Sequence, residues 1–321
     1  MKLLVLGSSK LLSARVLPAL TGHPEVRGVD LASRRGVAAL AALTPPLPGE
    51  RYGSFEEALA RSDAEAVYVS TENSGHVRWA EAALRSGRHA IVDKPATPGP
   101  DEAARLAALA REHGRVVAEY TVFPFHPLFD AARARCLAAG PVRHLSAAFS
   151  FPPLPPDNFR NRRALGGGAV ADLAVYALGP GRVFFDAAPE RIEAAITTRG
   201  PEVETGFTLL ATYPGGRTAC GHFGFDTEYH NHLTVLGDRY RAEIPTAFTP
   251  PAGKPLTYQF RAHDREETVE TPPGSGFGHF FTVFARSLRD GSGGAWAERM
   301  LADAGATARL RQALGLPPPC T

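Results

Sequence analysis

From residue 1 to about residue 118 the chain alternates short apolar runs (LLVL, VRGVDLAS, AVYVS, HAIVD and RVVAEY) with amphipathic stretches of helical length. That alternation leaves few folds open. Apolar runs this short are buried on both faces only as central strands, and parallel strands need a crossover, usually helical, to bring the chain back. The crossover helices are expected up to Leu20, across Val37 to Leu43, from His76 to Ser86 and from Asp101 to His113. Residues 1–118 are therefore read as repeated βα units around a parallel sheet.

The rhythm changes near residue 140. RHLSAAFSF, ERIEAAITTR, TGFTLLATY, RTACGHFGF, NHLTVLG and RYRAEI alternate as strands of an antiparallel sheet with one covered face. Among them, GGGAVADLAVYALGPGRVFF reads as a glycine-rich approach to a helix, and PPLPPDN, TPPAGKP and TPPGSG as loops. A last helical region runs from Phe277 to Leu314, is broken at DGSGG and stops at GLPPP. A length of 321 residues with 44% apolar content is enough for two cores. The fold class is α/β: a parallel-sheet domain over 1–118, then an α+β domain over 119–321 with a large, open, mainly antiparallel sheet. An open sheet with one covered face predicts self-association, as a homodimer or homotetramer.

Thirty-five basic against 33 acidic residues give a formal charge of +2, so neither nucleic acid nor an acidic membrane is implied as partner. A small molecule is. The opening residues lack the apolar region of a secretory signal, and no run of about 18 apolar residues follows, which reads as a soluble cytoplasmic protein. Cys136, Cys220 and Cys320 suit neither a disulfide framework nor a zinc cluster, so no metal is expected.

Four segments carry chemistry. In MKLLVLGSSKLLSARVLPAL, Gly7 supplies the tight turn of a dinucleotide-binding loop, while Ser9 and Leu12 replace the usual second and third glycines. Ser9 still lets backbone approach phosphate and adds a hydroxyl, whereas Leu12 asks for a wider gap between helix and sheet. An ordinary βα turn fits this segment as well. At the end of the second run, LASRR offers Ser33, Arg34 and Arg35 where an acidic residue would bind a ribose 2′-hydroxyl, a set that suits a 2′-phosphate or else forms a solvated basic turn. Lys94, in Asp93-Lys94-Pro95, follows a buried strand and is aimed where ligands gather, able to polarise a carbonyl if it is not merely solvated. Asp172 and Tyr176 stand at i and i+4 on one helix face, as a proton donor with its neighbour or as a core tyrosine with a dipole-serving aspartate.

Three motifs in this order resemble the Gfo/Idh/MocA family of glucose-fructose oxidoreductase-like enzymes: Thr71, Asn73 and His76 as T-x-N-x-x-H, the DKP at Asp93 to Pro95, and GGGAVADLAVY at Gly166 to Tyr176. Within it, RVLPAL, ASRR, FSFPPLPP, DLAVY and TAFTPP are most similar to the nucleotide-sugar 3-ketoreductases of deoxysugar antibiotic pathways. The resemblance implies a Rossmann domain, a second domain with a large open sheet, and an active site between them. It implies NADP(H) held by Gly7, Ser8, Ser9, Ser33, Arg34, Arg35, Thr71, Asn73, His76 and Lys94. Lys94 would bind and polarise the ketone of a nucleoside diphosphate sugar, Tyr176 would protonate its oxygen, and Asp172 would orient the sugar or the lysine. Tyr176 stands where many members have histidine, which favours the ketoreductases over the inositol dehydrogenases. The chain departs from the family pattern at Asp93, usually glutamate, at Glu72, where proline is common, and in VAEYTVFPFHPLF. Phe123, Arg160, Arg163, His230 and Asn231 are chosen by location as residues facing nucleotide and sugar. An imine reductase of the same fold is the alternative chemistry. A non-catalytic binding protein is the alternative class, against which the joint presence of Lys94, Asp172 and Tyr176 argues.

Overall fold

The computed structural model describes residues 1–41, 43 and 47–319, so Cys320 lies outside the described residues. The chain forms two compact units, Met1–Thr121 with Phe277–Ala304, and Val122–Gly276 with residues 305–319. The first unit therefore ends a little beyond 118 and takes back a segment that the sequence reading assigns to the second domain. The reason is aromatic packing. Tyr120 meets Phe280 at 4.6 Å and Phe281 at 5.3 Å between ring centroids, and its hydroxyl donates to the Phe277 carbonyl.

The first unit contains β1 (Lys2–Leu6), α1 (Leu17–Ala19), β2 (Gly28–Ala32), β3 (Arg51–Tyr52), α2 (Phe55–Arg61), β4 (Ala66–Val69), α3 (His76–Arg85), β5 (His89–Asp93), α4 (Pro100–Glu112) and β6 (Val117–Tyr120). Its six strands are parallel in the order β3-β2-β1-β4-β5-β6. The order reverses between β1 and β4, which opens a crevice beyond the carboxyl ends of these strands. Leu3 to Leu6 are fully buried, as a strand covered on both faces requires. A π-wound stretch, Leu12–Val16, leads into α1. The helix expected across Val37 to Leu43 is only a 3₁₀ turn, Val37–Leu40; Ala42 lies outside the described residues. The Arg51 guanidinium takes the Leu40 and Leu43 carbonyls at 3.1 and 2.8 Å, so those acceptors do not need a helical ladder.

The second unit contains α5 (Pro127–Ala139), β7 (Val142–Ser150), α6 (Ala169–Phe185), β8 (Arg191–Arg199), β9 (Glu204–Tyr213), β10 (Arg217–Gly224), β11 (His230–Gly237), β12 (Tyr240–Pro245), β13 (Leu256–Ala262) and β14 (Arg265–Thr271). Its eight strands run β14-β13-β12-β11-β7-β10-β9-β8, antiparallel except for the pair β7 and β10. The hairpin of β13 and β14 has no counterpart in the sequence reading. Its turn uses His263 at φ 55° in place of an Asn-Gly or Asp-Gly signal, and β14 is mostly charged or polar. The last helices are α7 (Gly276–Asp290) and α8 (Gly294–Ala313). Met300 joins the core of the first unit, while Ala306 and Leu310 join that of the second.

α6 is the most buried helix of its unit, and it continues through Gly179-Pro180-Gly181. The two glycines allow close approach. A Cβ on Gly179 would stand 2.9 Å from the Phe123 ring, and one on Gly181 would stand 2.1 Å from the Tyr213 hydroxyl. Gly181→Ala is expected to destabilise the protein by about 1–3 kcal/mol, because the Tyr213 ring is enclosed and cannot yield. Gly305→Ala, in α8 with nothing within 4 Å of its Cβ position, is expected to be neutral or stabilising by up to about 1 kcal/mol. Thermal unfolding of the two variants beside the parent checks both.

Candidate functional site

In the first unit, the carboxyl ends of β1, β2, β4 and β5 are joined by side chains. Gly7 has φ +133°, and a Cβ there would stand 2.0 Å from the Ser70 carbonyl oxygen, so only glycine lets the loop after β1 lie against the end of β4. Ser9 then opens the first helix: its Oγ accepts the Leu12 N–H at 3.0 Å and its carbonyl accepts the Ser13 N–H at 3.3 Å. The wider gap that Leu12 asks for coincides with the π-wound stretch it begins. Ser9 Oγ lies 2.9 Å from Ser70 Oγ, which donates to Asp93 at 2.9 Å, and Tyr68 donates to the other Asp93 oxygen at 2.6 Å. Desolvation pushes the Asp93 carboxyl above the ordinary range, against the pull of the Tyr68 hydroxyl, His76, Ser70 and Lys94. Burial likewise holds the Tyr68 phenol well above its usual range, so it stays a donor.

At the end of β2, Ser33 is buried, and its Oγ accepts the Arg35 N–H at 3.2 Å. It shapes the turn that presents the two arginines. Arg35 reaches across to Ser8 Oγ at 2.8 Å, and Arg34 pairs with Glu72 at 2.9 Å, both of the latter side chains being well exposed. The residue that stands in place of proline is thus the partner of an arginine expected to meet phosphate.

The T-x-N-x-x-H motif divides in role. His76 is fully buried, with Nδ1 2.8 Å from the Pro95 carbonyl and Nε2 3.1 Å from the Thr71 carbonyl. The ring thereby braces the loops after β4 and β5. Thr71 Oγ1 donates to the Glu72 carbonyl at 3.1 Å, and Asn73 begins a 3₁₀ turn, Asn73–Gly75. Lys94 follows the last residue of β5 directly, at the strand end where the sequence places it.

In the second unit the start of α6 is built by a loop and a strand. Gly168 has φ +117°, and a Cβ there would stand 2.5 Å from Glu204 Oε1, the atom that accepts the Val170 N–H at 3.1 Å. Glu204 is buried and anchors the helix N-terminus, where negative charge is favoured. Arg160 meets Asp172 at 2.9 Å, and its carbonyl accepts the Gly168 N–H at 2.9 Å. One turn on, the half-buried Tyr176 ring stands among Phe149, Phe248 and Phe123, at centroid distances of 5.0, 5.4 and 5.8 Å. Such packing fixes the direction of the phenol.

Of the five residues chosen by location, Arg160 contacts a candidate catalytic residue, Asp172, through its charged group. Phe123 is buried beneath Tyr176 and does not face solvent. Asn231 is buried too; it accepts the Phe248 N–H at 3.1 Å and donates to Thr249 at 2.8 Å, so it acts on Tyr176 through Phe248. The Arg163 N–H donates to Glu202 at 3.0 Å, and the His230 ring lies tilted against that of His232 at 4.5 Å between centroids. Sequence reasoning misses Ser70, Glu204, Phe149 and Phe248. Ser70 had a signal, since it directly follows an apolar run at a strand end; a buried acid such as Glu204 has none. Among the described residues no group of three or more His, Cys, Asp or Glu is placed to hold a metal, and burial pushes the Cys136 thiol up to about 12. The donor set fits a dinucleotide with a 2′-phosphate: an open helix N-terminus after Gly7, and two guanidinium groups with no acid at the end of β2 itself.

Residues 1–121 match the model of an oxidoreductase family with an NAD-binding Rossmann fold, and residues 137–243 match that of the GFO/IDH/MocA C-terminal domain. The chain is 32% identical to a dTDP-3,4-didehydro-2,6-dideoxy-alpha-D-glucose 3-reductase of Streptomyces antibioticus, over 90% of this chain and 89% of that protein. It is 31% identical to a D-xylose 1-dehydrogenase (NADP(+)) of Haloferax volcanii, over 89% of each. A crystal structure of a 3-ketoreductase from Actinomadura kijaniata in complex with NADP and TDP-benzene superposes with a TM-score of 0.90 at 30% identity, over 98% of both chains. On matches that span both units, this chain belongs to the GFO/IDH/MocA family of oxidoreductases.

Proposed function

We propose that this chain is an NADPH-dependent ketoreductase that reduces the keto group of a nucleoside diphosphate-linked deoxysugar, acting as a 3-ketoreductase. The observation that carries this reading is the full-length likeness to a 3-ketoreductase solved with NADP and TDP-benzene. Arg34 and Arg35 at the end of β2 support the 2′-phosphorylated cofactor. When bound, the nicotinamide supplies the hydride. The chain supplies the rest. Lys94 donates to the carbonyl oxygen and stabilises the charge that develops there. Tyr176, its ring held by three phenylalanines, delivers the proton. Asp172, paired with Arg160, keeps the sugar or the lysine oriented.

The reading includes a cytoplasmic location. Among the described residues no helix is long and apolar enough to cross a membrane. It also includes self-association through the sheet of the second unit. α5 and α6 cover one face of that sheet, whereas the strands alternate outward to exposed residues, Leu210 of β9 among them at 43% exposure.

Arg34→Ala is expected to weaken NADPH binding by about 10- to 100-fold and NADH binding little, the loss of one charge-assisted phosphate contact. Fluorescence titration with both cofactors checks this, and tighter NADH binding by the parent chain refutes it. With a nucleotide-linked keto sugar as substrate, Tyr176→Phe is expected to lower kcat by about 10²- to 10⁴-fold at near-normal cofactor affinity. Lys94→Ala should do at least as much damage, and the two losses should not add, since both residues serve one oxygen. Turnover of a cyclic imine, or of free xylose with NADP, in preference to the nucleotide-linked ketone would move the chain to another substrate class. Light scattering at micromolar concentration should report a dimer or tetramer; a 34.2 kDa particle would contradict the self-association.

A further inference from the structure

The reading of the cofactor leaves the second glycine of the first loop unexplained, and the serine in its place is engaged on both sides. The hydrogen bonds have one consistent direction. Ser70 Oγ spends its proton on Asp93 at 2.9 Å, so at 2.9 Å it accepts from Ser9 Oγ. Ser9 Oγ in turn accepts the Leu12 N–H at 3.0 Å. The Asp93 carboxylate ends the chain and is also held by Tyr68 at 2.6 Å. The close approach of Gly7 to the Ser70 carbonyl brings the two hydroxyls within reach. The bonds therefore start in the first turn of the first helix, whose N-terminus faces the pyrophosphate in such domains, and end one residue before Lys94.

We propose that Ser9, Ser70 and Asp93 form a positioning relay that sets the pyrophosphate-binding loop in register with the turn carrying Lys94, doing by side-chain bonds what the missing glycine does elsewhere by close backbone contact. The three are positioning residues, acting through the loop and through Lys94. The relay rests on the cofactor reading above, and it deepens that reading by making one loop responsible for two properties, cofactor affinity and hydride-transfer rate. Asp93 fits this role with a side chain one methylene shorter than glutamate, because Ser70 and Tyr68 reach it directly.

Ser9→Gly separates the relay from its simplest rival, in which the loop needs only a small residue. That variant restores the usual glycine and removes the hydroxyl. On the relay, Ser9→Gly weakens NADPH binding about 5- to 10-fold, the effect of losing one hydrogen bond at an ordered site. It also slows single-turnover hydride transfer at saturating NADPH by about 3- to 10-fold, through misplacement of Lys94. Ser9→Thr, which keeps the hydroxyl, recovers most of both losses. Ser70→Ala reproduces them, and Ser9→Gly with Ser70→Ala is no worse than either change alone. NADPH binding as tight as the parent's in Ser9→Gly overturns the relay, as does a double variant whose loss is the product of the single losses. Ser9→Gly and Ser9→Thr decide the matter if Ser70→Ala does not fold. A parent chain that binds no NADPH in the titration overturns the cofactor reading and the relay with it, whereas a parent that binds with unaffected variants overturns the relay alone.

Discussion

The first unit depends on a contact that has no side chain on one side. The loop after β1 lies on the end of β4 because Gly7 carries no Cβ, and a methyl group there would meet the Ser70 carbonyl oxygen at 2.0 Å. The links from the loop after β1 to its neighbours follow from that approach. Ser9 comes within a hydrogen bond of Ser70, and Arg35 reaches back to Ser8. Next along the chain, Glu72 and the Thr71 carbonyl pick up Arg34 and His76. Four strands of a parallel sheet would otherwise end in independent loops, each with its own conformational freedom to lose when a ligand binds. Tying them together beforehand reduces that loss.

The second unit reaches a similar end by a similar device. A carboxylate from a neighbouring strand, Glu204, takes a backbone N–H at the start of α6, and a glycine, Gly168, makes room for it. In both units a glycine allows a close approach beside a helix start that a polar side chain holds: of a backbone carbonyl at Gly7, with Ser9 as the cap, and of the Glu204 carboxylate itself at Gly168. The helix of the second unit also carries its functional group one turn into its length, where three phenylalanines restrict Tyr176. A proton donor must point in one direction to be effective, and aromatic packing restricts the ring that carries it. Farther along the same helix, Gly179 and Gly181 let it lie close to Phe123 and Tyr213.

The apolar runs of the sequence determined five of the six strands of the parallel sheet, the two-residue β3 having no such run, and period-two alternation most of the second sheet, since burial on both faces or on one is a property of each run by itself. The places of Gly7, Arg34, Arg35, Lys94, Asp172 and Tyr176 in the fold were legible for the same reason: each stands at an offset from a strand end or a helix start that local pattern reveals. What the sequence could not settle was which side chains meet. Ser33 and His76 look like ligand contacts by type, and the structure gives each a bracing role that type does not reveal, the first in the turn after β2 and the second between two loops. The 3₁₀ turn at Val37–Leu40, the hairpin of β13 and β14, the return of Phe277–Ala304 to the first unit, and the partnership of Ser9 with Ser70 and Asp93 were decided by tertiary structure. The last two depend on groups far apart in sequence, such as Tyr120 with Phe280 or Ser9 with Ser70, and periodicity within a window carries no information about pairs at that separation.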